Sequence, residues 1–136
     1  MSLRKLWPAI VWALFILIVT GFPGGYIPQV HSFWDWLAPD KVVHVVVFGT
    51  LSFLILYGLR EQYYASNRRY LFVAGAVGLS LAYGLLTEVL QATVFIGRDG
   101  NAYDFYADGI GAFAGWFGFY ILCRKKMKIN TVEKKD

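Results

Sequence analysis

Four long apolar runs, almost free of charged residues, limit what this chain can fold into. They are Leu6–Phe22, Val42–Leu59, Tyr70–Thr93 and Phe105–Cys123. Each approaches or exceeds the roughly 20 residues that an α-helix needs to cross the hydrocarbon core of a bilayer. Only 16% of the residues are charged, whereas a soluble domain carries about 25%. The sequence therefore predicts an all-α polytopic membrane protein, in which residues 1–136 form one domain with four transmembrane helices.

The basic residues predict how these helices are oriented. All but two of the 13 lysines and arginines lie in three places that four spans put on one side of the membrane. These places are the N-terminal Arg4 and Lys5, the link from Arg60 to Arg69, and the tail at 124–136. The positive-inside rule makes that side cytoplasmic, so both termini are predicted to be cytoplasmic. We interpret the tail as an anchor that contacts anionic lipids, and no nucleic-acid partner is expected.

An unusual segment rich in aromatic residues, glycine and proline separates the first two runs. It extends from Phe22 to Pro39 and contains Tyr26, Trp34 and Trp36. Proline and glycine interrupt a helix, and amphipathic aromatic rings favour the headgroup level of a membrane. We interpret it as an interfacial segment on the extracytoplasmic surface, with a lid over a pocket as the alternative.

Seven polar residues lie near those ends of the runs that the topology places on the extracytoplasmic side. They are Lys41, His44, Glu88, Gln91, Arg98, Asp104 and Asp108. Ionisable groups at membrane depth are costly to bury and mark a functional site by default. Because three runs and one linker contribute to the same end, the sequence predicts that these groups line one polar pocket.

Small residues predict that two of the acids face neighbouring helices. The third run has small residues every four positions before Glu88: Ala76, Ser80 and Gly84. In the fourth run, Gly111 and Gly115 continue the face that Asp108 occupies. Small residues at this spacing let helices approach closely within a membrane. Both Glu88 and Asp108 are therefore expected to point into the helix bundle.

The residue types in this set suit the recognition and chemistry of an anionic headgroup. Glu88, Asp104 and Asp108, together with His44, are candidate catalytic acids and bases. Lys41 and Arg98 suit phosphate or carboxylate groups, and Gln91 completes the predicted substrate-binding set: Lys41, Gln91 and Arg98. Histidine and carboxylates could instead hold a divalent cation. The cationic neighbours disfavour that alternative, so no metal ligand is predicted and the cofactor is left open.

In its motifs the chain resembles the VanZ-like family. The matching blocks are Asp40-Lys-Val-Val-His44 with Phe48, Gly84-Leu-Leu-Thr-Glu-Val-Leu-Gln91, Gly97-Arg98, and Asp104-Phe-Tyr-Ala-Asp-Gly-Ile-Gly111. They occur in order between Asp40 and Gly115, although Asp108 stands where asparagine is common in the family. The resemblance implies a multi-pass protein of the bacterial inner membrane. The named member of that family lowers susceptibility to the glycopeptide teicoplanin, so a link to glycopeptide resistance is also implied.

We therefore expect an extracytoplasmic pocket that binds or modifies a cell-envelope amphiphile. A lipid-linked precursor, a phospholipid headgroup and a lipoglycopeptide antibiotic all fit this class. The sequence does not separate an enzyme from a binding protein. One alternative is a polar network that only holds the helices together or holds a partner. A proton-coupled transporter is less favoured because the inner halves of the runs lack charged groups. Membrane lipids are expected partners, and a homo-oligomer is compatible with the sequence.

Overall fold

The computed structural model describes residues 3–21, 39–94 and 102–132, and these residues form helices with no strand among them. A 3-10 turn at Leu3–Leu6 precedes five α-helices: α1 (Trp7–Gly21), α2 (Pro39–Gly58), α3 (Arg60–Ala65), α4 (Arg69–Thr93) and α5 (Ala102–Val132). The predicted all-α class is confirmed. The predicted interfacial segment, apart from the start of α2, and Arg98 lie outside the described residues.

The predicted helix bounds are close to the observed ones in three cases and too short in the fourth. Helices α1, α2 and α4 begin and end within three residues of the predicted runs. Helix α5 was expected to end at Cys123, but it continues to Val132. The prediction stopped where the apolar composition stops, whereas lysine and arginine are themselves good helix formers. The basic start of the tail therefore continues the helix.

Three of the described helices are long and apolar enough to cross a membrane. They correspond to Arg4–Gly21, Lys41–Gly58 and Arg69–Thr93. The fourth predicted span, Phe105–Cys123, is not among them. All three expose large apolar side chains, such as Leu14, Val46 and Leu79, which a lipid surface would cover.

Among the described residues, the closest backbone contacts at glycines lie between α2 and α5. A Cβ atom added to Gly111 would overlap the backbone carbonyl of Val45, and one added to Gly115 would overlap the carbonyl of Gly49. A Cβ added to Gly49 would lie 3.0 Å from the carbonyl oxygen of Gly111. The two backbones therefore touch over a full helical turn, as small residues permit in membrane helices.

Contacts at the two ends show the direction of each helix. At one end, Tyr64 of α3 donates a hydrogen bond to the Cys123 carbonyl at 3.0 Å. Lys5 pairs with Glu61 at the same end, and a hydrogen bond from Lys5, together with its charge, lowers the pKa of Glu61. At the other end, Lys41 near the start of α2 meets the start of α5. Helices α2 and α5 therefore run parallel to each other, and α1 and α4 run the opposite way.

We predict that Gly115→Ala destabilises the fold, because the new methyl group would meet the α2 backbone, which cannot yield as a side chain can. Overpacking of this kind costs about 1–3 kcal/mol in the free energy of unfolding. Reversible unfolding in mixed detergent and SDS micelles measures the loss.

Gly118→Ala is the matched control on the same helix, since a Cβ there has no atom within 4 Å. We expect it to be neutral, or to stabilise by up to about 1 kcal/mol through helix propensity. Equal losses in both variants would contradict the proposed backbone contact.

Candidate functional site

Three of the predicted site residues meet at one end of the helices. His44 comes from the start of α2, Glu88 from the last turns of α4, and Asp108 from the start of α5. One nitrogen or carboxylate oxygen from each lies within 4.8 Å of the corresponding atoms of the other two. We call these three residues the His-Glu-Asp cluster. Residues 44, 88 and 108 are distant in sequence, so only the packing of the three helices brings them together.

The closest contact in the cluster joins His44 to Asp108. The imidazole Nδ1 lies 2.8 Å from the carboxylate Oδ1. Asp108 is fully buried, with 0% relative exposure, and its second oxygen, Oδ2, has no hydrogen-bond partner among the described residues. A buried carboxylate without a partner is strongly destabilising. The imidazole therefore provides the main compensation that the described structure offers this acid.

Gly84 lets Asp108 reach the backbone of α4. A Cβ atom added to Gly84 would lie 2.6 Å from Asp108 Oδ2 and 3.2 Å from Asp108 Cβ. Gly84 stands one helical turn before Glu88, so Oδ2 faces the helix that carries the third member of the cluster. Gly84 was expected to allow close contact between helices, and in the structure the space beside it holds the Asp108 carboxylate. Its neighbour Thr87 is buried and donates a hydrogen bond to the Gly84 carbonyl at 2.8 Å.

A second pair lies one turn closer to the end of the same two helices. Lys41 Nζ donates to Asp104 Oδ1 at 3.2 Å. Asp104 is buried, whereas the side chain of Lys41 is 37% exposed. Asp104 does not belong to the His-Glu-Asp cluster. Lys41, one of the predicted substrate-binding residues, is therefore paired with Asp104, and Asp104 is best described as the partner of that lysine.

Gln91 faces α1. Its side chain is buried, and Nε2 lies 3.5 Å from the Thr20 carbonyl oxygen, which is at the limit of a hydrogen bond. Because Thr20 is near the end of α1 and Gln91 near the end of α4, this contact places the ends of both helices beside the cluster.

A small cavity of about 70 Å³, partly open at the surface, lies beside the cluster between α1, α2 and α4. It is lined by Phe15, Ile16, Val19, Thr20, Val43, His44, Val47, Phe48 and Gln91. Its polar residues, Thr20, His44 and Gln91, lie at the end of the helix bundle that holds the cluster, and the remaining wall is apolar. His44 is both a cluster member and part of the cavity wall.

The contribution of α1 was not predicted. No residue of this helix was assigned to the site, yet it supplies Phe15, Ile16, Val19 and Thr20 to the cavity. Thr20 was the available signal, since it is a polar residue near that end of the first run which the predicted topology places with the site. The three other residues are ordinary apolar side chains, and only the packing of α1 against α2 and α4 distinguishes them.

Comparison of the chain with protein-family models, with curated proteins and with solved structures found no match. The resemblance to the VanZ-like family rests on the sequence motifs and stays a prediction. Arg98, which belongs to those motifs, lies outside the described residues.

We predict that His44 and Asp108 are energetically coupled. Removing either member alone should lower the free energy of unfolding by about 3 kcal/mol. The double variant His44→Ala/Asp108→Ala should lose at least about 1 kcal/mol less than the sum of the two single losses. The free energies of unfolding of the wild type, the two single variants and the double variant, measured in mixed micelles, complete this double-mutant cycle.

The pair Lys41 and Asp104, on the same two helices, is the matched control. Because Lys41 is partly exposed, solvent screens that pair, and its coupling should stay below about 1 kcal/mol. If the stability losses of the two single variants add up to the loss of the double variant, the 2.8 Å contact between His44 Nδ1 and Asp108 Oδ1 does not stabilise the fold.

Proposed function

We propose that this protein is a multi-pass membrane protein that binds an amphiphile of the cell envelope. The cavity beside the His-Glu-Asp cluster carries this proposal. Its apolar wall suits an acyl or prenyl chain, while Thr20, His44 and Gln91 form a polar end for the headgroup. Ligand sites in proteins are typically apolar with a few well-placed polar groups. The apolar chain would enter between α1 and α2, and the headgroup would contact His44.

The proposal includes α5 as a fourth span. Residues 104 to 123 of α5 cover about 28 Å along a helix axis, which is close to the hydrocarbon thickness of about 30 Å. Contacts with α2 and α3 occur at both ends of this stretch, at Asp104 and at Cys123. Ile110, Phe113 and Phe117 form an exposed apolar face between them. A helix that lies parallel to a spanning helix over this length crosses the same layer.

The distribution of basic residues supports an extracytoplasmic position for the site. The end away from the cluster carries Arg4 and Lys5, the link at 60–69 and the last turns of α5, where the basic tail begins. By the positive-inside rule that end is cytoplasmic, so the cluster faces the cell envelope. The VanZ-like motifs support a bacterial inner membrane. Their link to teicoplanin supports a lipoglycopeptide as ligand, and a lipid-linked precursor or a phospholipid headgroup suits the same pocket.

Chemical modification of the bound amphiphile is the second candidate function. It is favoured by the 2.8 Å contact between His44 Nδ1 and Asp108 Oδ1, because a carboxylate that orients an imidazole is a common arrangement for general acid–base catalysis. In this variant of the proposal, His44 would move a proton at the headgroup, and Asp108 would orient the ring.

Filling the cavity should abolish ligand binding. We expect Val43→Trp to weaken binding at least tenfold, since Val43 lines the cavity and the larger ring would displace an apolar chain. Native mass spectrometry of the purified protein with a polyprenyl phosphate, a phosphatidylglycerol and a lipoglycopeptide measures retention of each ligand. A glycopeptide that lacks the acyl chain tests whether the chain is required.

Val46→Trp is the matched control, one turn along α2. Val46 is 59% exposed and lies outside the cavity wall, so this variant should bind as the wild type does. Equal losses in both variants, or no retention by the wild type, would contradict the proposal. A product of altered mass would establish the enzymatic variant, and unchanged ligand would exclude it for the compounds used.

A further inference from the structure

The His-Glu-Asp cluster has the donor set of a transition-metal site. It offers one imidazole nitrogen and the oxygens of two carboxylates, within 4.8 Å of one another. Ligand atoms around a tetrahedral Zn²⁺ lie about 3.4 Å apart, given metal–ligand bonds of about 2.1 Å. Small rotations of the side chains would therefore bring these atoms into coordination distance. Each ligand stands on a separate helix, so the three donors surround a common point.

Burial of the donors gives an independent indication of a ligand. Asp108 is fully buried, and its Oδ2 atom has no hydrogen-bond partner among the described residues. This oxygen faces α4, one turn from Glu88. An ionised carboxylate oxygen in such a place lacks compensation for its desolvation. A cation between α2, α4 and α5 would supply it.

The formal charge of the donor set suits a divalent cation. As metal ligands, two ionised carboxylates and a neutral imidazole would carry a formal charge of −2, which matches the charge of a divalent ion. The sequence disfavours a metal because Lys41 and Arg98 are cationic neighbours, and of these two Arg98 lies outside the described residues. In the structure the Lys41 ammonium is held by Asp104 at 3.2 Å, and Asp104 is not a cluster member. The positive charge of Lys41 is therefore compensated outside the cluster.

We propose that His44, Glu88 and Asp108 bind one divalent transition-metal ion of the Zn²⁺ or Mn²⁺ class. A mixed nitrogen and oxygen donor set favours these ions, whereas Mg²⁺ and Ca²⁺ prefer oxygen ligands alone. Three protein ligands leave at least one position for water or for a ligand group. His44 also lines the cavity, so an exchangeable position would be reached from that side. Metal binding does not depend on the proposed amphiphile.

The experiment uses the full-length protein, purified through a tag without histidine and stripped with a chelator. ZnCl₂ or MnCl₂ is added, unbound ion is removed, and bound metal is measured by inductively coupled plasma mass spectrometry. We expect about one ion per chain, as a single three-ligand site requires. Glu88→Gln and Asp108→Asn should each weaken binding at least tenfold. Added Zn²⁺ or Mn²⁺ should also raise the unfolding temperature of the wild type.

Two controls separate loss of a ligand from general damage. Glu61→Gln makes the same chemical change at an exposed acid on the opposite end, and Ser80→Ala removes a buried hydroxyl from α4 outside the cluster. Both should bind metal as the wild type does. Visible absorption after loading with Co²⁺ reports the coordination, and the wild-type spectrum should change in His44→Asn.

A variant that fails to fold would not decide the test, because metal binding is also measured on the wild type. Failure of the stripped wild type to bind Zn²⁺ or Mn²⁺, or to show a Co²⁺ spectrum, would overturn the metal site. Metal affinity that is unchanged in all three cluster variants, or reduced equally in Glu61→Gln, would overturn it as well. No amphiphile is added in this experiment, so its results do not affect the test of ligand binding with Val43→Trp.

Discussion

The backbone contact between α2 and α5 is the constraint on which the rest of the site depends. Gly111 and Gly115 bring α5 against the carbonyls of Val45 and Gly49, where any side chain would force the helices apart. In this close parallel arrangement, each turn of one helix meets the corresponding turn of the other. The two polar pairs of the site, which lie one turn and two turns before the glycines, follow from that register. Without the close approach, neither lysine nor histidine would reach its acid.

The two pairs differ in environment, and this difference separates their roles. Lys41 and Asp104 lie at the partly exposed rim, where a lysine can keep its ammonium near water while it pairs with an acid. His44 and Asp108 lie one turn deeper, where Asp108 has no exposure at all. Glu88 reaches the deeper layer from α4. The rim therefore carries a self-compensated ion pair, and the interior carries Asp108, whose Oδ2 atom has no hydrogen-bond partner among the described residues. Binding a cation would compensate such a buried carboxylate oxygen.

His44 connects the two halves of the site. On the side of α5 it contacts Asp108, and on the side of α1 it forms part of the cavity wall. A headgroup in the cavity would therefore be next to the cluster without entering it. This geometry unites the proposed amphiphile site and the proposed metal site through one side chain. Helix α1 completes the cavity, because Phe15, Ile16 and Val19 close the apolar side that α2 and α4 leave open.

The sequence by itself determined the helices, because apolar composition and length are local properties. Three helices agree with their predicted bounds within three residues, and the fourth was cut short only where its composition becomes basic. Alternating direction then placed Lys41, His44, Glu88 and Asp108 at one end. Only the tertiary structure decided which groups pair, that Asp104 stays outside the cluster, and that α1 supplies a wall of the cavity. Pairing depends on the register between helices some 60 residues apart. The spacing of Gly111 and Gly115 predicts a close helix contact, but only the packing decides that these glycines meet Val45 and Gly49 of α2.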